Sequence, residues 1–223
     1  MKSSKLKVLT SSNSDEHNTP EYLIEAAREV LRHINLDPMS NHLANKIVKA
    51  EKYFTKENDG LSLAWFGKVW LNPPFSLIDK AVPKLINEYK EGRVREAVIL
   101  LKSTVETKTY QSLYPYPFCE LNKRVKFIPG DLTNVELFIA TFHLLTTYKL
   151  YRLAQFFLKE YELKKFSDSS PFATTLFYLG NNYYKWIKVM SKYGRVHPGN
   201  DLFTRLAMRC NIDELKDLGI IKK

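Results

Sequence analysis

The chain has 223 residues, 44% of them hydrophobic, and carries 34 Lys and Arg against 24 Asp and Glu, a net charge of +10. That length allows one large domain with a full core, no apolar run is long enough to span a membrane, and the Lys- and Ser-rich start lacks the apolar stretch of a secretory signal, so a cytoplasmic protein is expected. The two cysteines, Cys119 and Cys210, stand far apart without metal-ligand spacing, which argues against a zinc site and for two free thiols.

In chain order, residues 5–9 form a candidate first strand and residues 11–18 a polar loop. Thr19-Pro20 opens a helix, with a hydroxyl N-cap, proline at the first helical position and Glu21 in the first turn. Leu23, Ile24, Ala27, Val30 and Leu31 recur at helical spacing, predicting a helix to about Arg32 with one buried face. Its N-terminus is either a plain cap or a positive dipole end facing an anion.

Residues 34–38 read as a strand ended by Asp37 and Pro38. A carboxylate at the carboxyl tip of a strand suits a ribose diol. Alternatively, Asp37 caps the next helix, whose apolar face is Leu43, Ile47, Val48 and Ala50. Residues 53–60 form a short segment passing into an Asp59-Gly60 turn. Asp59 either stabilises that turn alone or, if the segment is a third strand, shares a sheet edge with Asp37 and accepts from an adenine amino group.

Residues 67–71 are an apolar run short enough for a buried fourth strand, and Pro73 and Pro74 stop it at its carboxyl end. Asn72 is left at the tip, where open α/β sheets place their chemistry. In Asn72-Pro73-Pro74-Phe75, a neutral acceptor, a rigid turn and a flat ring suit the exocyclic amine of a nucleobase, the carbonyls holding its N–H groups while the ring stacks on the base. The other reading is a proline-rich turn with Phe75 in the core.

Residues 78–89 predict an amphipathic helix ended by Gly92, with Ala81, Val82, Leu85 and Ile86 inward, and residues 97–101 a strand buried on both faces. This alternation of strands and helices predicts an α/β sheet with one active edge. A polar loop over 102–110 enters a helix. The rings of Tyr114, Tyr116 and Phe118, set among prolines, either stack on an extruded base or pack on the sheet. Residues 124–128 look strand-like.

Residues 131–166 break the rhythm with a long helical pattern and a basic surround. They are expected to be a helical insertion serving target recognition, dimer contact or cover for the sheet. Residues 172–179 predict a strand, residues 183–193 a helix ended by Gly194, and residues beyond Pro198 a C-terminal helical tail capped by Asp201. Residues 1–223 are therefore expected to be one domain carrying that insertion. Residues 1–100 hold 15 Lys and Arg against 13 Asp and Glu, and residues 101–223 hold 19 against 11. Such an asymmetry is the footprint of a polyanion partner or a solvated basic surface.

Taken as an ordered series, Thr19-Pro20, Ile34-Asn35-Leu36-Asp37-Pro38-Met39-Ser40-Asn41, Tyr53-Phe54-Thr55, Asp59-Gly60-Leu61, Trp65 and Asn72-Pro73-Pro74-Phe75 resemble the phage-type DNA N6-adenine methyltransferase family. The likeness covers roughly residues 17–130 and returns at Phe177-Tyr178-Leu179-Gly180. It implies a Rossmann-like methyltransferase sheet that uses S-adenosylmethionine and acts on DNA, without a metal. Asp37 would hold the cofactor ribose, Asp59 would lie near its adenine, Thr19 and Pro20 would belong to the cofactor pocket, and Asn72, Pro73, Pro74 and Phe75 would be catalytic. The chain departs from that pattern in lacking a glycine-rich loop after the first strand and in its long 131–166 block. Rival readings are a cytosine-N4 methyltransferase and a non-catalytic DNA-binding protein on the same scaffold. A homo-oligomer is left open.

Overall fold

The computed structural model describes residues 17–129, 147–150, 152–153, 155–156, 170 and 172–201. In chain order the elements are β1 (His17–Asn18), α1 (Glu21–Leu31), β2 (Leu36–Asp37), α2 (His42–Val48), β3 (Lys52–Tyr53), β4 (Gly67–Leu71), α3 (Ile78–Lys90), β5 (Val94–Lys102), α4 (Lys108–Gln111), β6 (Phe118–Leu121), β7 (Ile128–Pro129), β8 (Thr174–Leu179), α5 (Tyr183–Met190) and β9 (Gly194–His197). Seven strands form one sheet in the order β3-β2-β4-β5-β8-β6-β9, while β1 and β7 pair separately. The first four strands of that order run parallel, and β8, β6 and β9 each pair antiparallel to their neighbours.

Side chains on a strand alternate between faces, so a continuous apolar strand needs cover on both. Trp70 of β4, Val98 and Leu100 of β5, and Leu176 and Tyr178 of β8 pack with α1 and α5 on one face. Val69 and Leu71, Ala97, Ile99 and Leu101, and Phe177 and Leu179 turn to the other, against α3 and Tyr110 of α4. The helices keep the faces that their periodicity predicts: Leu23, Ile24, Ala27, Val30 and Leu31 of α1 and Ala81, Val82 and Leu85 of α3 are buried.

Several local expectations change. Pro20, not Thr19, occupies the N-cap of α1, and no side chain caps that helix. The Thr19 hydroxyl instead accepts from the Asn72 side chain. Asp37 does not cap α2; Asn41 does, accepting from the Ala44 N–H at 2.8 Å. His17 and Asn18 leave the expected polar loop to pair with Ile128 and Pro129.

The sixth sheet strand is Phe118–Leu121 rather than residues 124–128, because it finds ladders on both sides, β8 and β9. Gly194 opens β9 instead of merely ending α5, lying so close to the Glu120 carbonyl that a Cβ would collide with it. Tyr114, Tyr116 and Phe118 pack against the sheet core, the second of the two fates open to them. Cys119 is a buried free thiol, and Cys210 lies outside the described residues. So do residues 5–9, the greater part of 131–166, and the tail beyond Asp201.

Close backbone approach at one point shapes the edge where β2 and β3 end. Gly60 packs against the Pro38 carbonyl, where any Cβ would collide, and its own carbonyl accepts from the buried Trp65 indole at 2.7 Å. Gly60→Ala should therefore lower unfolding free energy by about 1–3 kcal/mol, the usual cost of overpacking, as urea denaturation would measure.

Candidate functional site

β2, β3 and β4 run parallel, so their carboxyl ends open on the same edge of the sheet. Asp37 ends β2 and sits level with Trp70 of β4, since Leu36 pairs with Val69. Asn72 follows β4 directly. Prolines have no N–H to extend a ladder, so Pro73 and Pro74 end the strand there and turn the chain into a short 3-10 turn, Phe75–Leu77, that leads into α3. The Pro74 carbonyl accepts from the Leu77 N–H at 2.9 Å.

A cavity of about 900 Å³ lies over this edge. Its lining includes Thr19, Asp37, Asp59, Asn72, Pro73, Pro74 and Phe75, every candidate residue named from the sequence except Pro20. Pro20 stands one residue away and accepts through its carbonyl from the Leu23 N–H in the first turn of α1. Asp59 stabilises its turn and also stands at the cavity. It adopts a left-handed conformation, φ 48°, with its carbonyl receiving the Ser62 N–H and hydroxyl.

Asp37 is the only buried carboxylate among the described lining residues, 3% exposed. Its backbone is fixed by the Phe54 N–H, which donates to the Asp37 carbonyl at 3.0 Å. Burial pushes its carboxyl up to about 7, and hydrogen bonds from the Met39 N–H and the Ser40 side chain offset only part of that.

Asn72 reaches across to the segment after β1, donating from Nδ2 to Thr19 Oγ1 at 3.1 Å. Next to Thr19, Asn18 accepts from Asn41 Nδ2 at 3.3 Å, so a buried polar strap links the end of β4 to the start of α2. Phe75 is partly exposed and meets Phe172 edge-on at 5.1 Å. Phe172 in turn contacts Phe127, which lines the cavity, and lies under the Lys102 ammonium at 5.1 Å. Two exposed lysines, Lys56 and Lys80, stand at the cavity wall.

The sequence reading missed Asn18, Phe127, Phe172, Lys56 and Lys80. No motif marks them, because each comes from a short strand, a loop or a helix start that only chain folding brings to this edge. Asn41 had a signal, a polar residue directly before a helical pattern.

A sequence model of the family described as DNA N-6-adenine-methyltransferase (Dam) matches residues 6–137, more than half of the chain. The chain belongs to this family. No curated protein and no solved structure matches it. The matched stretch of this Dam-family chain contains Thr19, Asp37, Asp59 and Asn72–Phe75, and its sheet has the Rossmann-like methyltransferase fold implied by the resemblance. Among the described residues, no helix is long and apolar enough to cross a membrane and no group of His, Cys, Asp and Glu is arranged to hold a metal.

The Asp37 carboxyl binds its proton more tightly when folded than when unfolded, so its contribution to stability is full below the unfolded value near 4 and is lost as pH rises through about 7. Relative to Asp37→Asn, the ligand-free wild type should thus lose stability across that window and be the less stable of the two at pH 8. Urea denaturation of both proteins at pH 5 and pH 8 checks the sign.

Proposed function

We propose that the chain transfers a methyl group from S-adenosylmethionine to the N6 amine of adenine in DNA, the base entering the site from outside its helical stack. One observation supports the reading above all: Asn72-Pro73-Pro74-Phe75 and Asp37, at the tips of adjacent strands, line a single cavity. Its volume of about 900 Å³ is near the top of the range for small-molecule sites, about 300–1,000 Å³. That is generous for one ligand and fits a cofactor beside a base.

The residues present suit the cofactor. A buried carboxyl with a raised proton affinity gains most from new hydrogen-bond donors, and a ribose diol supplies two. Asp37 is assigned that role, with Asp59 near the adenine ring of the cofactor and Pro38, Met39 and Leu61 as apolar lining. When bound, the cofactor supplies a methyl carbon activated by its sulfonium.

The protein's part is to make the amine a better nucleophile. The N6 lone pair is conjugated with the base, so the nitrogen is planar and weakly reactive. Accepting its hydrogens on Asn72 Oδ1 and the Pro73 carbonyl favours a pyramidal nitrogen and stabilises the positive charge that grows as the methyl arrives. Neither acceptor is a strong base, and the surplus proton leaves the product amine for water. Phe75, partly exposed at the cavity, offers a face for the base to stack on, offsetting some of the few kcal/mol that unstacking costs. Lys56 and Lys80 give the rim a positive charge suited to phosphates.

Incubation with labelled S-adenosylmethionine and mixed-sequence DNA, followed by nucleoside analysis, should yield N6-methyladenine. Recovery of N4-methylcytosine, or no labelled nucleoside at all, would overturn the reading. Asn72→Ala should lower the transfer rate by about 10²–10³-fold while sparing cofactor affinity, measured by single turnover and calorimetry. Asp37→Ala should do the reverse, weakening cofactor binding at least tenfold, about the 1.4 kcal/mol of one lost hydrogen bond to a charged group.

A further inference from the structure

We propose that Trp65 is a positioning residue for the cofactor: its indole N–H holds the Gly60 carbonyl and so seats the Asp59 turn where that carboxylate selects adenine over other purines. The proposal rests on the reading of Asp59 as the partner of the cofactor's adenine.

The turn that carries Asp59 has little of its own to stand on. From residue 56 to residue 64 Gly60 alone is buried, and Asp59 itself is exposed. The Asp59 carbonyl is taken by the Ser62 N–H at 2.9 Å and the Ser62 hydroxyl at 2.8 Å, bonds that close the turn on itself without reaching β2. A glycine has no side chain to pack, so its backbone makes the attachment. Gly60 lies against the Pro38 carbonyl, directly after Asp37, and its own carbonyl receives Trp65 Nε1 at 2.7 Å. The two carboxylate-bearing tips thus meet at one glycine, and the indole holds it there.

An indole N–H only donates, so the direction of this bond is fixed. The ring that carries it is fully buried in the apolar cluster with Phe54, Val69 and Leu85, and Lys84 Nζ of α3 stands 5.4 Å from its centroid. Pro38, Asp59, Gly60, Leu61 and Ser62 line the cavity, and Trp65 does not. Trp65 therefore acts on a bound cofactor through the turn. An adenine amino group donates where the hypoxanthine carbonyl accepts, so a carboxylate tells the two apart only while it is held within hydrogen-bond reach. An exposed turn released from its buried anchor lets Asp59 move into water and loses that distinction.

The test measures calorimetric affinities of the full-length chain for S-adenosylhomocysteine and for its inosine counterpart, in wild type, Trp65→Phe, Asp59→Ala and the double variant. Phenylalanine keeps an apolar ring in the cluster and removes the N–H. Wild type should prefer the adenine ligand by about tenfold or more, the scale of one hydrogen bond to a charged group. Asp59→Ala should abolish that preference, Trp65→Phe should remove most of it, and the double variant should match Asp59→Ala. Single-turnover transfer by Trp65→Phe at saturating S-adenosylmethionine should stay near the wild-type rate. A loss of folded protein weakens both ligands alike and leaves their ratio unchanged, so the ratio reports positioning alone.

A wild-type ratio in Trp65→Phe, beside a lost preference in Asp59→Ala, overturns the role of Trp65 and leaves the reading of Asp59 standing. A double variant whose ratio departs from that of Asp59→Ala overturns the route through Asp59. A preference kept by Asp59→Ala sinks the reading of Asp59 beneath the proposal. Should Trp65→Phe fail to fold, hydrogen exchange of the wild-type Trp65 indole N–H decides: saturating S-adenosylhomocysteine should slow it, and an unchanged rate overturns the proposal.

Discussion

β4 stops in the middle of the sheet while its neighbour β5 continues. The β4–β5 ladder ends where Leu71 meets Ile99, yet β5 goes on to Lys102, held on its other side by β8. The cause is covalent. Pro73 and Pro74 have no N–H with which to extend pairing, and their fixed φ turns the chain away. A crevice opens beyond the carboxyl ends of β2 and β4, and everything that lines it depends on that early stop. Asn72 is presented at the edge because the strand cannot go further, and Phe75 because the turn leads at once into α3.

The crevice is closed from the other side by residues distant in the chain. The strap of Asn18 and Thr19 comes from ahead of the first long helix, Phe127 from the segment beside β7, and Phe172 from the approach to β8. The wall includes the polar Asp37, Asn41 and Asn72 and the aromatic Phe75 and Phe127. The lining thus offers both hydrogen-bonding groups and flat rings. Burial pushes the Asp37 carboxyl up to about 7 in spite of the hydrogen bonds it accepts from Met39 and Ser40. Perturbed groups of this kind cluster at functional sites.

The fold was legible wherever periodicity carried the signal. The apolar runs at 67–71, 97–101 and 172–179 are β4, β5 and β8, and the helical faces of α1 and α3 are the buried ones, because sheet and helix periods follow directly from backbone geometry. Local chemistry with two acceptable partners was not legible. Thr19 before Pro20 has the form of a helix cap, and Asp37 before a helical pattern has the form of another, but tertiary contacts give the first hydroxyl to Asn72 and the second cap to Asn41. Strand placement between residues 117 and 129 failed for a similar reason: Phe118–Leu121 wins over residues 124–128 by having partners on both sides, which no local pattern records.

The sequence alone determined which segments are strands and helices through most of the parallel half of the sheet. It also determined that Asn72, Asp37 and Asp59 end or follow those segments, and the ordered motifs placed the chain in its family. Tertiary structure alone decided that these residues line one cavity and that the Thr19 hydroxyl accepts from Asn72 there. It also decided which aromatic rings face the opening and which, like Tyr114, Tyr116 and Phe118, are spent on the core. The physical reason is the range of the interactions. Periodicity and proline sterics act within a few residues, whereas a hydrogen bond between positions 19 and 72 exists only once β4 has stopped and the strap has crossed above it.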